Sequence, residues 1–374
     1  MLFYIITILS LFLSLAYLML MLRYCIDWNR QKEFSLPKNE YDIKVSVIVV
    51  ARNEADNIVQ CLHSIANQNY PNKYVEIIVA DDQSTDKTVE LAKDLGIEQL
   101  KILENQNLKG KKQLLSFAIS NAAGELIICT DADCIVPPDW IAFMVAAFVE
   151  NKAKFIAAPV LFYDNQSLFE KFQALDFLGM MAITGAGISG KYLYMCNGAN
   201  LAYPKKIFEE LGGFEGIDHK ASGDDMLLLQ KLALKYPNDI VYIKNPRAAV
   251  LTKAQKTLNE FWQQRLRWAS KSGDYPQTFA IIQLLMVWLF MFCILICFIV
   301  ALFEPSLFVV FAIMLLTKTI ADFLLLYSAA SYFSSKHLLK IFIPALFLHC
   351  FYILSVGFVS VFKKKYRWKG RSWS

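Results

Sequence analysis

The sequence predicts an α/β domain with a mixed sheet, flanked by membrane-spanning segments. In the middle of the chain, short apolar runs alternate with segments of helical periodicity, which is typical of parallel or mixed sheets covered by helices. Long apolar segments occupy both ends, and 56% of the 374 residues are hydrophobic. Because charged residues concentrate between Arg23 and Lys271, we expect a soluble domain of about 240 residues, long enough to bury its own core.

Residues 1–23 are predicted to form an N-terminal membrane anchor. The run 2–22 is apolar and uncharged, and it is long enough to cross a hydrocarbon core of ~30 Å. A cleaved signal peptide is the alternative, but no basic segment precedes the run and no small-x-small cleavage site precedes Arg23. The cations Arg23, Arg30 and Lys32 follow the run, so the positive-inside rule predicts that the soluble domain faces the cytoplasm.

The elements of the soluble domain, residues 40–256, follow from its apolar patterning. Continuous β-branched runs predict buried strands, and apolar residues three and four apart predict helices. The predicted strands are 45–50, 76–80, 100–103, 126–130, 155–160 and 199–203, and the predicted helices are 54–68, 84–96, 111–121, 168–181 and 225–234. In such sheets ligands bind beyond the carboxyl ends of the strands.

Asp131 and Asp133 directly follow the fourth predicted strand. They are two positions apart on an extended chain, so we expect both carboxylates on one side. A carboxylate pair can hold one hard divalent cation, Mg²⁺ or Mn²⁺, which takes its other ligands from diphosphate oxygens and water. The structural alternative for an isolated Asp-x-Asp is a solvated turn.

The ends of the first two strands also carry polar residues. Asn53 and Glu54 follow the first strand, and Asp81 and Asp82 end the second. Either aspartate can accept a hydrogen bond from the imide N–H of uracil or from a ribose hydroxyl, or can merely cap the next helix. Lys111 begins the fourth predicted helix after a glycine; the segment lacks the spacing of a P-loop, but the lysine is a candidate for donor binding.

Asp224 and Asp225 precede the apolar run 226–229. A position at a helix start favours ionised carboxylates because of the helix dipole. Two such residues commonly do no more than begin a helix. If the pair faces the metal site, one of them can take the proton from an acceptor hydroxyl.

Residues 257–275 are predicted to form an amphipathic helix at the membrane interface. Thr257 and Glu260 form a capping box. Apolar side chains occupy one face, and Gln264, Arg267 and Trp268 project from the other together with Lys271. An arginine and a tryptophan displayed in this way can neutralise a leaving diphosphate and line an acceptor channel; an interfacial helix with snorkelling arginines is the alternative.

The segment Gly185-Ala-Gly-Ile-Ser-Gly190 matches the letters of a dinucleotide-binding motif. It follows a helical pattern instead of a strand, and no acidic residue lies near twenty positions further on. We therefore expect a flexible or tightly packed loop and no dinucleotide.

The C-terminal region 279–362 contains three further apolar spans, 279–302, 305–327 and 338–362, and a basic tail follows at 363–374. Three full crossings would place the tail outside, against the charge rule, so either one segment is re-entrant or interfacial or the tail is an exception. Lys318 and Asp322 are four apart on one helical face within the middle span. An intramembrane charge pair is either functional or a staple between helices.

The remaining composition narrows the possible partners. None of the eight cysteines forms a CxxC pair and the four histidines show no metal-ligand spacing, so we expect a reducing compartment and no structural zinc. The net charge of +5 comes partly from the basic tail, which is predicted to meet anionic lipid headgroups and not nucleic acid.

Taken together, the order and spacing of these motifs between about residue 45 and Trp268 resemble the membrane-bound inverting family 2 glycosyltransferases, the group of cellulose and hyaluronan synthases, to which ceramide glucosyltransferase is related. The resemblance implies an α/β domain of GT-A fold flanked by transmembrane helices. The roles it implies are as follows: donor binding by Asn53, Glu54, Asp81 or Asp82, Asp131, Asp133, Gln264, Arg267 and Trp268; metal binding by Asp131 and Asp133; acceptor binding by Gly198, Asn200 and Trp268; and catalysis by Asp225, with Asp224 as the neighbouring candidate.

Two features depart from the family pattern. The base motif is Gly-Asp-Asp and not Thr-Glu-Asp, which leaves open which carboxylate is the base. There are fewer membrane spans than in processive synthases, which favours addition of one sugar to a membrane-held lipid acceptor. We therefore expect an integral protein of the bacterial cytoplasmic membrane that uses a nucleotide sugar, most simply a UDP-sugar, with Mg²⁺ or Mn²⁺. A processive polysaccharide synthase and an inactive nucleotide-sugar-binding membrane subunit are the alternatives.

Overall fold

The chain divides into two compact units in a computed structural model that describes residues 2–36, 41–218, 222–271, 278–362, 366–368 and 371–373. The sheet unit comprises Lys32–Asp164, Tyr194–Ala254 and Arg367–Ser374, and the helix unit comprises Met1–Gln31, Asn165–Leu193 and Gln255–Tyr366. The predicted domain 40–256 therefore includes a segment that clusters with the apolar helices. Parts of two predicted segments, 272–275 and the tail residues 363–365, 369–370 and 374, lie outside the described residues.

The elements are numbered in chain order. The α-helices are α1 (Leu2–Arg30), α2 (Ile58–Ala66), α3 (Thr88–Asp94), α4 (Lys111–Ser120), α5 (Trp140–Glu150), α6 (Leu168–Ser189), α7 (Lys205–Glu210), α8 (Met226–Lys235), α9 (Leu258–Ala269), α10 (Thr278–Ala301), α11 (Leu307–Tyr332) and α12 (Phe342–Phe362). The strands are β1 (Val45–Ala51), β2 (Val75–Asp81), β3 (Leu100–Glu104), β4 (Leu126–Asp131), β5 (Phe155–Ala157), β6 (Val160–Phe162), β7 (Leu201–Pro204), β8 (Ile240–Tyr242), β9 (Val250–Thr252), β10 (Tyr366–Trp368) and β11 (Arg371–Trp373). Short 3-10 helices occupy Asn72–Tyr74, Pro246–Ala248 and Lys336–Ile341.

The main sheet has the strand order β3-β2-β1-β4-β7-β5-β8. β7 runs antiparallel to both of its neighbours, and the other pairs are parallel, so the sheet is mixed, as predicted. The register sets Asp81 beside Ala51 and Asp131 beside Val50. The carboxyl ends of β2, β1 and β4 therefore meet at one edge, where the sequence predicted a site.

The first four predicted strands are β1 to β4, and each extends at most one residue beyond the predicted bounds. The fifth predicted strand is divided into β5 and β6, which belong to different sheets. Pro159 lies between them, and a proline cannot donate to a strand ladder. Helix α5 was missed because it is apolar on nearly every side, so it lacks an amphipathic pattern.

Among the residues described in the helix unit, five helical segments are long and apolar enough to cross a membrane: Tyr4–Arg30, Leu168–Ser189, Thr278–Ala301, Leu307–Tyr332 and Lys336–Ser360. Four of them correspond to predicted spans. Leu168–Ser189 was expected as a shorter helix of the soluble domain, and its hydropathy of 1.2 is well below the 2.1 or more of the others.

The glycine-rich segment is helical, so the predicted loop is wrong. Residues up to Ser189 belong to α6, and Gly190 is its C-cap. A Cβ atom at Gly187 would lie 2.6 Å from the carbonyl oxygen of Leu193, so the glycine permits close packing of the following chain. This context also agrees with the rejection of a dinucleotide site.

Candidate active site

A partly buried lysine binds two carboxylates at the edge of the sheet unit. Lys111, the first residue of α4, places its Nζ 2.6 Å from Oδ1 of Asp131 and 3.4 Å from Oδ2 of Asp224. Burial alone would lower the pKa of Lys111, but the carboxylates of Asp131 and Asp224, with Asp225 nearby, raise this pKa well above its ordinary value. The structure therefore brings together three sequence candidates and fixes Lys111 as a permanent cation among them.

Asp225 is held by backbone groups. It is the N-cap of α8, where its Oδ1 accepts a hydrogen bond from the N–H of Met226 at 2.6 Å. Its Oδ2 accepts from the N–H of Gly198 at 3.0 Å. The predicted helix start is confirmed. The neighbouring aspartates thus have different partners: Asp224 pairs with an ammonium, and Asp225 with amide groups.

The two aspartates at the end of β2 also make different contacts. Asp82 is completely buried and its Oδ1 accepts from the N–H of Gly110 at 3.3 Å, so it fixes the loop before α4. Asp81 is also buried; its Oδ2 accepts from the N–H of Ser84, whereas its Oδ1 has no hydrogen-bond partner. A buried carboxylate oxygen without a partner is costly. A ligand donor such as an imide N–H fits this position, so Asp81 is the better nucleoside candidate.

Asn53 and Glu54 organise the loop after β1. Asn53 has a left-handed backbone with φ of 51°, and its Oδ1 accepts from the N–H of Thr85 at 2.8 Å. The N–H of Glu54 donates to Oγ1 of Thr88 at 2.7 Å, and its carboxylate accepts from Asn57. These contacts tie the loop after β1 to the segment after β2, so both residues shape the surroundings of Asp81.

The donor set fits a divalent cation. Asp133 is exposed in the turn after β4, and Asp131 is partly exposed at the strand end. Carboxylate oxygens are the ligands that Mg²⁺ and Mn²⁺ prefer. One cation, the Lys111 ammonium, already lies beside Asp131. Within the part of the chain that the structure describes, no three His, Cys, Asp or Glu side chains form a metal site on their own. A cation here would take its other ligands from a diphosphate and water.

Three thiols lie in the core beneath this cluster. Burial, with the carboxylates of Asp131 and Asp133 adding to it, raises the pKa of Cys61 and Cys134 far above the ordinary range. Burial also raises the pKa of Cys129 to about 12. All three are therefore neutral at physiological pH, which makes them poor nucleophiles and poor metal ligands.

Asn200, expected beside the acceptor, has a side chain that makes its contacts in the core. The side chain is completely buried. Its Nδ2 donates to the carbonyl oxygens of Pro159 and Ala248, and its Oδ1 accepts from the indole of Trp140 at 2.7 Å. Both ends of the Asn200 amide are therefore engaged in the core.

In the helix unit, α9 carries the predicted Gln264, Arg267 and Trp268. Its capping box between Thr257 and Glu260 is present. Arg267 and Trp268 are partly buried, and Oε1 of Gln264 is buried without a partner. The predicted faces are only partly correct: Phe261 and Leu266 are buried and Leu258 is 70% exposed. Lys271, expected on the polar face, is also buried.

Arg265 is the residue of α9 that sequence reasoning missed. Its guanidinium is buried, lies 2.9 Å from Oδ2 of Asp176 on α6, and sits 4.4 Å from the ring centre of Trp268. Tyr352 of α12 donates to the other oxygen of Asp176 at 2.7 Å. One turn earlier on α6, Gln173 exchanges two hydrogen bonds with the backbone of Gln255. Trp268 thus packs against Arg265, which is held by Asp176 of α6, and Asp176 is in turn held by Tyr352 of α12.

The predicted intramembrane pair is present. Nζ of Lys318 lies 2.5 Å from Oδ2 of Asp322 and 3.2 Å from Nδ1 of His349 on α12. Tyr17 of α1 donates to Oδ1 of Asp322 at 2.5 Å. The pair therefore joins α1, α11 and α12, as expected of a staple between helices.

Comparison with known proteins assigns part of the chain to a family. Residues 46–212 match the family described as glycosyl transferase family 2. The poly-beta-1,6-N-acetyl-D-glucosamine synthase of Staphylococcus epidermidis is 25% identical over 229 residues, which are 60% of this chain and 53% of that protein. The beta-monoglucosyldiacylglycerol synthase of Nostoc sp. is 30% identical over 245 residues, which are 62% of this chain and 49% of that protein. The chain thus spans about half the length of these relatives.

Among solved structures, the mannosyltransferase PcManGT from Pyrobaculum calidifontis, in complex with GDP-Man and Mn²⁺, aligns with 96% of this chain and 99% of its own, with a TM-score of 0.62 and 20% identity. This likeness concerns the fold, and it agrees with the predicted GT-A sheet. The mixed sheet and the family match agree, and residues 46–212 therefore belong to a glycosyltransferase family 2 domain of GT-A fold.

Proposed function

We propose that the protein is an inverting, metal-dependent glycosyltransferase that moves one sugar from a nucleotide sugar to a lipid acceptor. The observation that carries the proposal is the cluster of Asp131, Asp224 and Asp225 around one ammonium at the carboxyl edge of a GT-A sheet. Such a cluster suits an enzyme that must hold a cationic centre, a diphosphate and an acceptor hydroxyl close together.

Donor binding begins at Asp81. Its unpartnered Oδ1 accepts the imide N–H of the base. Uracil and guanine both carry such an N–H, so the geometry suits either base, and our choice of a UDP-sugar rests on the family resemblance. Asn53 and Glu54 hold the surrounding loops in place.

The diphosphate belongs beside Lys111 and the Asp131-Ala-Asp133 turn. Asp131 and Asp133 would hold Mg²⁺ or Mn²⁺, which when bound neutralises the diphosphate and promotes its departure. Lys111 donates to the diphosphate oxygens. The family resemblance further assigns Gln264, Arg267 and Trp268 of α9 to donor and acceptor binding.

Asp225 is the proposed base. Its carboxylate takes the proton of the acceptor hydroxyl while the oxygen attacks the anomeric carbon and the bond to the diphosphate breaks, so the configuration inverts in one displacement. The hydrogen bonds from Gly198 and Met226 fix the orientation of this carboxylate. Asp224 is the weaker candidate because Lys111 neutralises it.

The acceptor class rests on the apolar helices. Five segments suited to a membrane favour a lipid held there, with the catalytic unit on the cytoplasmic side of a bacterial inner membrane. One relative is named for a polysaccharide and another for a glucosyl lipid, so a processive synthase is the second candidate.

The test uses purified full-length protein in lipid nanodiscs with UDP-glucose, UDP-N-acetylglucosamine and GDP-mannose, each with Mn²⁺ or EDTA. We expect nucleotide release with one donor and lipids heavier by one sugar in mass spectrometry. A ladder of sugars would favour the polymer synthase. Donor binding without nucleotide release would instead favour an inactive subunit.

A further inference from the structure

The ammonium of Lys111 lies against a carboxylate oxygen of Asp131, the candidate metal ligand. Its Nζ lies 2.6 Å from Oδ1 of Asp131, and its side chain is 19% exposed. Asp224 approaches the same atom from α8, and the Cα of Gly198 closes another side, since a Cβ there would lie 3.2 Å from Nζ. Asp131, Asp224 and Gly198 thus surround the ammonium on three sides, and its side chain keeps some exposure to solvent.

We propose that Lys111 keeps free divalent metal out of the site and yields only to metal that arrives with the nucleotide diphosphate. The inference rests on the proposed function, because it takes Asp131 as a metal ligand. It adds an order of binding: donor and metal enter together.

The physical basis is competition between cations for one carboxylate. A divalent cation at Asp131 would repel the ammonium across a few ångströms in a partly buried site, where screening is weak. In the absence of a ligand, leaving Asp131 would cost Lys111 its shorter ion pair, at 2.6 Å, and keep the longer one with Asp224, at 3.4 Å. A diphosphate supplies that anion, and the long lysine side chain can transfer to it.

Binding of metal and nucleotide is therefore coupled. When each ligand raises the affinity of the other, the two factors are equal by linkage. Removal of the lysine side chain has two effects in this scheme: free metal binds more tightly, and the coupling between metal and nucleotide becomes smaller.

The experiment measures Mn²⁺ binding to full-length protein in detergent, by calorimetry and by the electron paramagnetic resonance signal of free Mn²⁺, with and without UDP. Lys111→Met should bind Mn²⁺ alone about tenfold more tightly than the wild type, or more. Lys111→Arg, which keeps the charge, should behave like the wild type. Lys109→Met removes an exposed charge two residues away and is the matched control, also expected to be unchanged.

The location is checked by adding Asp131→Asn to Lys111→Met, which should abolish the gain. Unchanged or weaker Mn²⁺ binding by Lys111→Met would overturn the inference, and so would tight binding that survives Asp131→Asn. If Lys111→Met does not fold, as judged by thermal unfolding, Lys111→Gln replaces it with the same expectation.

The outcomes separate the inference from the proposed function. If the wild type binds Mn²⁺ with UDP and transfers sugar while Lys111→Met gains no affinity, only the role of Lys111 is wrong. If the wild type binds no Mn²⁺ even with UDP, both the role of Lys111 and the proposed metal-dependent function are wrong.

Discussion

The backbone N–H of Gly198 donates a hydrogen bond to Oδ2 of Asp225 at 3.0 Å. A Cβ atom at position 198 would lie 3.4 Å from that oxygen and 3.2 Å from Nζ of Lys111. Glycine therefore lets one backbone position hold the proposed base and approach the cation beside it. The sequence could not predict this contact, because the two residues are 27 positions apart.

Gly198→Ala tests this close packing. The added methyl group should shift the carboxylate of Asp225 by a fraction of an ångström, and such a misplacement costs up to about 10²-fold in kcat. UDP affinity should change less than kcat, since Asp81 is unaffected and the flexible end of the Lys111 side chain can yield by a few tenths of an ångström. Steady-state kinetics and calorimetry measure the two quantities, and an unchanged kcat would contradict the proposed constraint.

Asp81→Asn tests nucleoside recognition. An asparagine has one acceptor oxygen, so it cannot serve both the N–H of Ser84 and an imide N–H. We expect the donor KM to rise about 10- to 100-fold, the cost of a hydrogen bond to a charged group, with a much smaller change in kcat. The control is Asp94→Asn, at the exposed end of α3. Equal donor KM values for both variants would rule out Asp81 as the residue that contacts the nucleobase.

Removal of metal should stop the reaction. EDTA is expected to abolish nucleotide release, and Mn²⁺ or Mg²⁺ should restore it, because Asp131 and Asp133 offer oxygen ligands suited to hard cations. Asp133→Asn should raise the Mn²⁺ concentration needed for half-maximal rate. Full activity in EDTA after exhaustive dialysis would show that the reaction needs no metal.

The ion pair between Arg265 of α9 and Asp176 of α6 should dominate the stability of the packing between these two helices. Asp176→Asn leaves a buried guanidinium without its counter-charge, so the free energy of unfolding should fall by about 3–5 kcal/mol. The double variant Asp176→Leu with Arg265→Met removes both charges and should recover most of that loss. Unfolding by heat or denaturant in detergent measures the changes.

The exposed pair of Lys93 and Glu104, 2.7 Å apart, provides the control for this stability measurement. Glu104→Gln should change the free energy of unfolding by less than about 1 kcal/mol. A loss in Asp176→Asn no larger than in Glu104→Gln would mean that the buried pair does not anchor α9.

The sequence predicts the parts of the molecule that depend on local pattern. Strands β1 to β4 are continuous β-branched runs, and their ends locate Asp81 and Asp131 without any structure. The choice between Asp81 and Asp82 required the structure, because it depends on tertiary contacts. The N–H of Gly110 donates to the carboxylate of Asp82, whereas one carboxylate oxygen of Asp81 has no partner.

Contacts that the local sequence pattern does not contain account for the differences between prediction and structure. Arg265 received no role because its partner Asp176 lies 89 positions away. Asn200 was assigned to the acceptor by resemblance, but its amide bridges Pro159, Ala248 and Trp140 in the core. The glycine-rich segment looked like a loop because glycine weakens a helix, whereas packing against Leu193 makes Gly187 suitable there.

The most direct test compares the wild type with Asp225→Asn in lipid nanodiscs, following nucleotide release and lipid glycosylation with the active donor. Loss of the base should lower kcat by about 10²- to 10⁴-fold, while UDP affinity remains within about twofold of the wild type. Asp224→Asn, whose side chain can still reach Lys111, should lose much less. Wild-type turnover by Asp225→Asn would contradict the assignment of Asp225 as the base, and with it the proposed displacement at this site.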